Sequence, residues 1–250
     1  MLYSPADSAE YTLPLVIFLH GGGWAMGDLD SYDGLMQALC AKSGAHMLSV
    51  DYRRSPEHPF PAGLNDTLRT IAWARAVAAD HGFDPTRIAV MGDSAGGNLA
   101  AVAARRMHIE HGTRLAAQFL IYPVLDVSRP HSAYPSRMSY GDGDYLLTRE
   151  SIDVTLDWYL GADDRPDNPD ISPLLAPDLT CLPPTVIIVG GCDPLLDEAL
   201  NYADLLQAAG VPTTFKCFER TIHAFLSFGV LDVAQRARTY LAGEIKRLLF

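Results

Sequence analysis

The residues best suited to chemistry stand at Gly92-Asp93-Ser94-Ala95-Gly96-Gly97, a G-x-S-x-G pattern between two regular segments. Arg87-Ile88-Ala89-Val90-Met91 reads as a short apolar strand, and Asn98 to Arg106, rich in Ala, reads as a helix. A serine on so sharp a strand-to-helix turn holds its hydroxyl clear of the sheet, and the flanking glycines are needed where backbone crowds the turn. The chemistry this allows is nucleophilic attack. A hydroxyl is a weak nucleophile until a base takes its proton, and the base needs an acid to orient it.

With an elbow of this kind the expected chain order is serine, acid, histidine. Thr185-Val186-Ile187-Ile188-Val189 is β-branched and apolar, and Gly190-Gly191-Cys192 leads from it into Asp193-Pro194-Leu195. Asp193 therefore falls just past the carboxyl end of a buried strand, where the sites of open α/β sheets gather. Asp197, Glu198 and Asp204 fall inside the next helix and read as its solvated face. Of the 8 histidines only His223 lies after Asp193, and it follows the strand-like segment Thr213 to Phe218. Ser94, Asp193 and His223 are the catalytic candidates.

A second glycine-rich segment, His20-Gly21-Gly22-Gly23-Trp24, follows the continuous apolar run Leu15-Val16-Ile17-Phe18-Leu19. Consecutive glycines leave backbone N–H groups uncovered, so the loop can aim two donors at an oxyanion, with a third from Ala95 behind the nucleophile. His20 is expected to hydrogen-bond the backbone of this loop. His108 and His111 stand near a helix end without a third ligand, and no metal is expected there.

The elements that must position these groups alternate. Strands are expected at 15–19, 46–50, 87–91, 117–122, 185–190 and 213–218, and helices at 31–43, 63–81, 95–109, 149–160, 197–209 and 232–248. Such alternation predicts an α/β fold with a mainly parallel sheet covered on both faces. The 250 residues suit a single domain, 1–250. Its one long interruption, 126–180, is rich in Asp and Pro and holds one clear helix, so a functional insertion is expected there. A net charge of −11 argues against nucleic acid and anionic membrane surfaces as partners. Cys40, Cys181, Cys192 and Cys217 have no C-x-x-C spacing and read as free thiols of a reducing compartment. Met1 to Glu10 lacks a signal-peptide pattern and no apolar run spans a bilayer, so the expected location is cytoplasmic.

Taken together these segments resemble the hormone-sensitive-lipase family of α/β-hydrolases, specifically bacterial esterases with the G-D-S-A-G elbow. The matching pieces are His20 to Trp24, Asp51-Tyr52-Arg53-Arg54-Ser55-Pro56-Glu57-His58-Pro59-Phe60-Pro61-Ala62, the elbow, Ile171-Ser172-Pro173-Leu174-Leu175, Asp193-Pro194-Leu195 and Ile222-His223. The resemblance implies an α/β-hydrolase fold with Ser94 as nucleophile, Asp193 and His223 as its partners, and Gly22, Gly23 and Ala95 as oxyanion donors. It implies hydrolysis of short-chain carboxylic esters through an acyl-enzyme, with a small-molecule substrate and no metal or organic cofactor. It makes 126–180 a cap that shapes the pocket, with Trp24, Tyr122, Leu146, Leu147 and Phe225 as candidate lining residues. Two departures stand out. Arg220-Thr221-Ile222 precede His223 where such esterases carry small residues. The front, Met1 to Leu19, is shorter than in the family, which predicts a reduced cap without its N-terminal part, a more open active site and a less protected sheet edge. An edge strand at 213–218 would allow a homodimer. The alternatives are an amidase or dehydratase on the same scaffold, or a catalytically inactive ligand-binding protein.

Overall fold

A computed structural model describes residues 1–6 and 12–250 of the chain. The elements, in chain order, are β1 (Leu2–Tyr3), β2 (Leu13–Leu19), α1 (Leu29–Ser43), β3 (His46–Val50), α2 (Ala62–Ala76), β4 (Phe83–Asp93), α3 (Ala95–His111), β5 (Gln118–Ile121), α4 (Pro135–Tyr140), α5 (Arg149–Tyr159), β6 (Thr185–Cys192), α6 (Leu196–Ala208), β7 (Thr213–Ile222) and α7 (Asp232–Leu249). Among the described residues they build a 7-stranded sheet in the order β1-β3-β2-β4-β5-β6-β7. β1 is antiparallel to β3 and every other pairing is parallel, which is the mainly parallel sheet that the alternation predicts.

Strand side chains alternate between two cores because successive residues point to opposite faces. Leu15, Ile17, Leu19, Val90, Leu120 and Ile187 pack with Leu64 and Ile71 of α2 and Leu99 and Val102 of α3. Val16, Phe18, Ala89, Met91, Phe119 and Ile188 pack on the other face with Leu35 and Leu39 of α1 and Leu241 and Ile245 of α7. Both faces are covered, so the strands read as unbroken apolar runs rather than alternating ones. The ends of the helices carry their own signals. Asp28 caps α1 by accepting from the Ser31 N–H at 2.7 Å, and Gly44 closes it at φ 74°.

Several boundaries differ from expectation. The helix expected at 63–81 stops at Ala76, and a short 3-10 turn at Ala79–His81 ends on Gly82 at φ 70°. β4 starts at Phe83, ahead of the expected 87, and picks up Leu13 of β2 through a register shift. The interruption 126–180 holds α4 as well as the expected α5. Its sequence, Pro135 to Tyr140, is too short to show a helical period. A short strand ahead of those expected is Leu2–Tyr3, and residues 7–11 lie outside the described residues. Among the described residues no helix is long and apolar enough to cross a membrane.

Candidate active site

The three catalytic candidates follow the carboxyl ends of β4, β6 and β7, and strand register brings them together. Asp93 is the last residue of β4 and pairs with Ile121 of β5. Ser94 follows at φ 55° and ψ −118°, a conformation that L residues seldom adopt and that marks functional turns. A Cβ on Gly96 would run into the carbonyl oxygens of Leu19 and His20, so β2 and the start of α3 can approach this closely only at a glycine. Ser94 stands at the N-cap of α3, where a serine hydroxyl ordinarily bonds the first free N–H groups. Here its side chain makes no capping bond and reaches His223 instead.

Asp193 and His223 come from the adjacent pair β6 and β7. Cys192 pairs with Ile222, so the next residue on each strand emerges beside the other. That pairing depends on a bulge. Between the pairs Gly190–Phe218 and Cys192–Ile222, β7 takes two more residues than β6, and Arg220 within the bulge sits at φ 58°. The strand thus runs on to Ile222, the residue before His223, past the expected end at Phe218. His223 Nδ1 lies 2.8 Å from Asp193 Oδ2, and His223 Nε2 lies 3.0 Å from Ser94 Oγ. Asp193 Oδ1 accepts the Leu195 N–H at 2.9 Å. Asp193 is fully buried and His223 is 5% exposed, so both carboxylate oxygens are engaged by protein donors in a dry setting.

Gly22 and Gly23 line a cavity with Ser94, and Gly22 stands at φ 112°. Their loop turns back because the N–H groups of Ala25 and Met26 both donate to the Gly22 carbonyl. Ala95 is the first residue of α3, among the N–H groups that a helix leaves without internal acceptors and at the positive end of its dipole. An anion beside Ser94 is met by that end. His20 Nδ1 lies 2.9 Å from the Gly21 carbonyl, and its ring stacks on Tyr52 at 4.3 Å. The Tyr52 hydroxyl donates to the His20 carbonyl at 2.7 Å, so both ends of the histidine are tied to the loop.

The cavity measures about 250 Å³ and is walled by Trp24, Met26 and Val124 and by Leu147, Ser151, Ile152 and Thr155 of the interruption. α5 supplies Ser151, Ile152 and Thr155 of that wall and starts on a capping box between Thr148 and Ser151. Trp24 is set by stacking on Tyr159 of the same helix, with ring centroids 4.3 Å apart. Trp24 and Leu147 line the cavity. Tyr122 and Phe225, expected in the lining, do not reach it: both are fully packed behind the base. The Tyr122 ring meets His223 edge-on at 4.8 Å and Phe225 backs Tyr122 at 5.8 Å, so these aromatics fill space under the imidazole. Leu146 is 55% exposed and also lies outside the lining.

Glu198 corrects a second expectation. It is fully buried, not part of a solvated face. Its Oε1 accepts the Leu125 N–H at 2.7 Å, and its Oε2 pairs with Arg137 of α4. Next to it the Ser136 N–H donates to Asp197 at 2.7 Å, and the Ser136 hydroxyl donates to the Pro194 carbonyl at 2.8 Å. α4 is thereby fastened to the turn that carries Asp193. Among the described residues no three His, Cys, Asp or Glu side chains converge as a metal cluster. Tyr32, Val124, Ile152 and Thr155 also face the cavity, and sequence reading did not single them out. The amphipathic helix at 149–160 was the signal for Ile152 and Thr155, while Tyr32 carries no local signal.

The family model of the alpha/beta hydrolase fold matches residues 16–227. Among curated proteins, the carboxylic ester hydrolase LipN of Mycobacterium tuberculosis is 40% identical over 90% of this chain and 61% of its own length. The carboxylesterase NlhH of the same organism is 39% identical over 95% of this chain and 74% of its own length. The chain thus spans 61% of LipN and 74% of NlhH. A solved ester hydrolase from the metagenome of Lake Arreo, complexed with a bipyridine phosphonate derivative, superposes with a TM-score of 0.94 at 38% identity, covering 98% of this chain and 77% of that one. By the family match and these relatives, the chain belongs to the α/β-hydrolase fold family, with the esterases of the hormone-sensitive-lipase type.

Proposed function

We propose that the protein is a serine carboxylesterase that hydrolyses short-chain carboxylic esters through an acyl-enzyme. The observation that carries this reading is the relay Asp193–His223–Ser94, at 2.8 and 3.0 Å, opening on an apolar-walled cavity. His223 Nε2 takes the Ser94 proton as Oγ attacks the ester carbonyl. The N–H groups of Gly22, Gly23 and Ala95 receive the oxyanion. His223 then protonates the leaving alkoxide, which departs as alcohol. Water attacks the acyl-enzyme with His223 again as base, the acid leaves, and Ser94 regains its proton. Asp193 holds the Nδ1–H tautomer and stabilises the imidazolium. All of this needs only the protein's own side chains and backbone.

Cavity size supports short acyl chains. About 250 Å³ lies below the roughly 300–1,000 Å³ of sites for drug-sized ligands. LipN and NlhH are named as ester hydrolases, as is the Lake Arreo protein, which supports the same chemistry here. A binding-only protein has no use for a complete relay, and nothing in the site favours amide hydrolysis or dehydration over ester hydrolysis. We read 1–250 as one catalytic domain with 126–180 as its cap, a cytoplasmic setting from the free cysteines, and pairing of two copies through β7 at the sheet edge.

The test is hydrolysis of p-nitrophenyl esters from acetate to palmitate, with Ser94→Ala as control. Rates peaking at short chains and lost in the variant are expected. Hydrolysis surviving in Ser94→Ala refutes the assignment.

A further inference from the structure

We propose that Asp93 is a positioning residue for the oxyanion loop: its buried carboxylate clamps Gly21 and Tyr32, and so aims the N–H groups of Gly22 and Gly23. This inference rests on the esterase reading above. Asp93 stands directly before the nucleophile, within the G-D-S-A-G elbow. It is 2% exposed and takes no part in the proton relay. Its Oδ1 accepts the Gly21 N–H at 2.7 Å and its Oδ2 accepts the Tyr32 hydroxyl at 3.0 Å. The Tyr32 oxygen also lies 3.2 Å from the Gly21 nitrogen, so the three groups close on one another. A Cβ on Gly21 would stand 2.7 Å from Asp93 Oδ2 and 2.9 Å from the Asp93 carbonyl, so the contact excludes any other residue at 21. The donor loop after β2 has backbone ties at Gly22 and side-chain ties at His20; Asp93, the residue before Ser94, adds a charged one at Gly21.

Asp93 also titrates where the enzyme would work. Burial pushes its carboxyl up to about 6, against the pull of the Tyr32 hydroxyl, the Gly21 N–H and His223. The groups facing it are Tyr32 of α1, His20 and Gly21 after β2, Tyr52 after β3, Tyr122 after β5 and His223 after β7. Burial holds all three tyrosine hydroxyls well above their ordinary value and His20 below its own, so these four stay neutral near neutral pH. A carboxylate accepts the Gly21 N–H in a charge-assisted bond, roughly twice as strong as the neutral one left after protonation.

The experiment compares Asp93→Asn and Asp93→Ala with the wild type on p-nitrophenyl acetate across pH 5 to 9. Asn keeps a neutral acceptor, so kcat is expected to fall about five- to tenfold at high pH. Ala removes the clamp and is expected to lose about a hundredfold, the scale of one oxyanion donor. KM should move less than kcat in both, since the oxyanion forms after binding. The wild-type to Asn ratio should shrink toward unity as pH falls through about 6, because acid makes the wild type neutral too. A second readout needs no activity: the Gly21 amide resonance of the 15N-labelled wild type should titrate near that pH, and this step should vanish in Asp93→Asn. An Asn variant as fast as or faster than the wild type at high pH overturns the proposal, since the charge would then be hindering the oxyanion. So does a Gly21 amide that titrates alike in both proteins. A wild type that hydrolyses no ester refutes the esterase reading alone, and the Gly21 amide still decides on the clamp. If Asp93→Ala does not fold, Asp93→Asn carries both readouts.

Discussion

Asp193→Asn removes one charge and keeps the shape, so its effect can be worked from the contacts of the acid. Both carboxylate oxygens accept a hydrogen: Oδ1 from the Leu195 N–H at 2.9 Å, Oδ2 from His223 Nδ1 at 2.8 Å. An amide has one acceptor and one donor end. If its oxygen faces His223, its NH2 meets the Leu195 N–H, and two donors oppose each other in a site closed to water. If its oxygen faces Leu195, its NH2 donates to Nδ1, and the imidazole proton moves to Nε2. That nitrogen then points a hydrogen at Ser94 Oγ and cannot accept its proton. Either arrangement also loses the negative charge that stabilises the imidazolium. The expected fall in kcat is about ten-thousandfold, which at 1.36 kcal/mol per decade is about 5 kcal/mol of transition-state stabilisation. The fold loses far less, about 1–3 kcal/mol for an unsatisfied buried group. At roughly 2–4 °C per kcal/mol for a chain of this size, melting falls by about 2–12 °C. Steady-state kinetics on p-nitrophenyl acetate, with a melting curve beside them, separate the two effects. A variant that keeps kcat within about tenfold of the wild type while remaining folded would refute Asp193 as the acid.

Two further outcomes test neighbouring parts. Glu198→Ala leaves the Arg137 guanidinium and the Leu125 N–H without their acceptor in a buried site, so about 3–5 kcal/mol of stability should be lost. Melting should fall by roughly 6–20 °C, and a shift under 2 °C would mean that the pair carries no such weight. Ile152→Ala shortens a wall of the cavity supplied by α5, so the preferred p-nitrophenyl ester should move to a longer acyl chain. An unchanged chain-length profile would place the acyl group elsewhere.

What could be read from the chain follows how local each signal is. The elbow is local: an apolar strand, a turn of small residues and a helix are contiguous from Arg87 to Arg106, and the structure puts Ser94 at that junction. The strands at 15–19 and 185–190 likewise stand in apolar runs, and β2 and β6 fall there because both faces of the sheet are covered. The short α4 carries no period, and it was invisible for that reason. Glu198 was misread through the same gap. A carboxylate inside a helix next to Asp197 has every local mark of a solvated face, and only Arg137, 61 residues away on α4, makes its burial tolerable. Tyr122 and Phe225 show a related failure. Aromatics beside catalytic positions read as pocket walls, but whether a ring faces substrate or backs the base depends on which side of the sheet the strand end turns to.

The relay itself has one part that no local pattern holds. Asp193 and His223 each follow a strand, yet they meet only because β7 carries two extra residues between Phe218 and Ile222. An unbulged β7 would pair Cys192 with Arg220 and put His223 two residues beyond the acid, about 6–7 Å further along at the rise of a strand. That distance exceeds any hydrogen bond, so the relay depends on the bulge as much as on its three side chains. Arg220 and Thr221, which look like a departure from the small residues of related esterases, lie in that bulge. The Thr221 hydroxyl donates to the Phe218 carbonyl at 2.6 Å, a local tie that closes the extra residues into a turn. The unusual residues before His223 are therefore part of what brings its imidazole to Ser94.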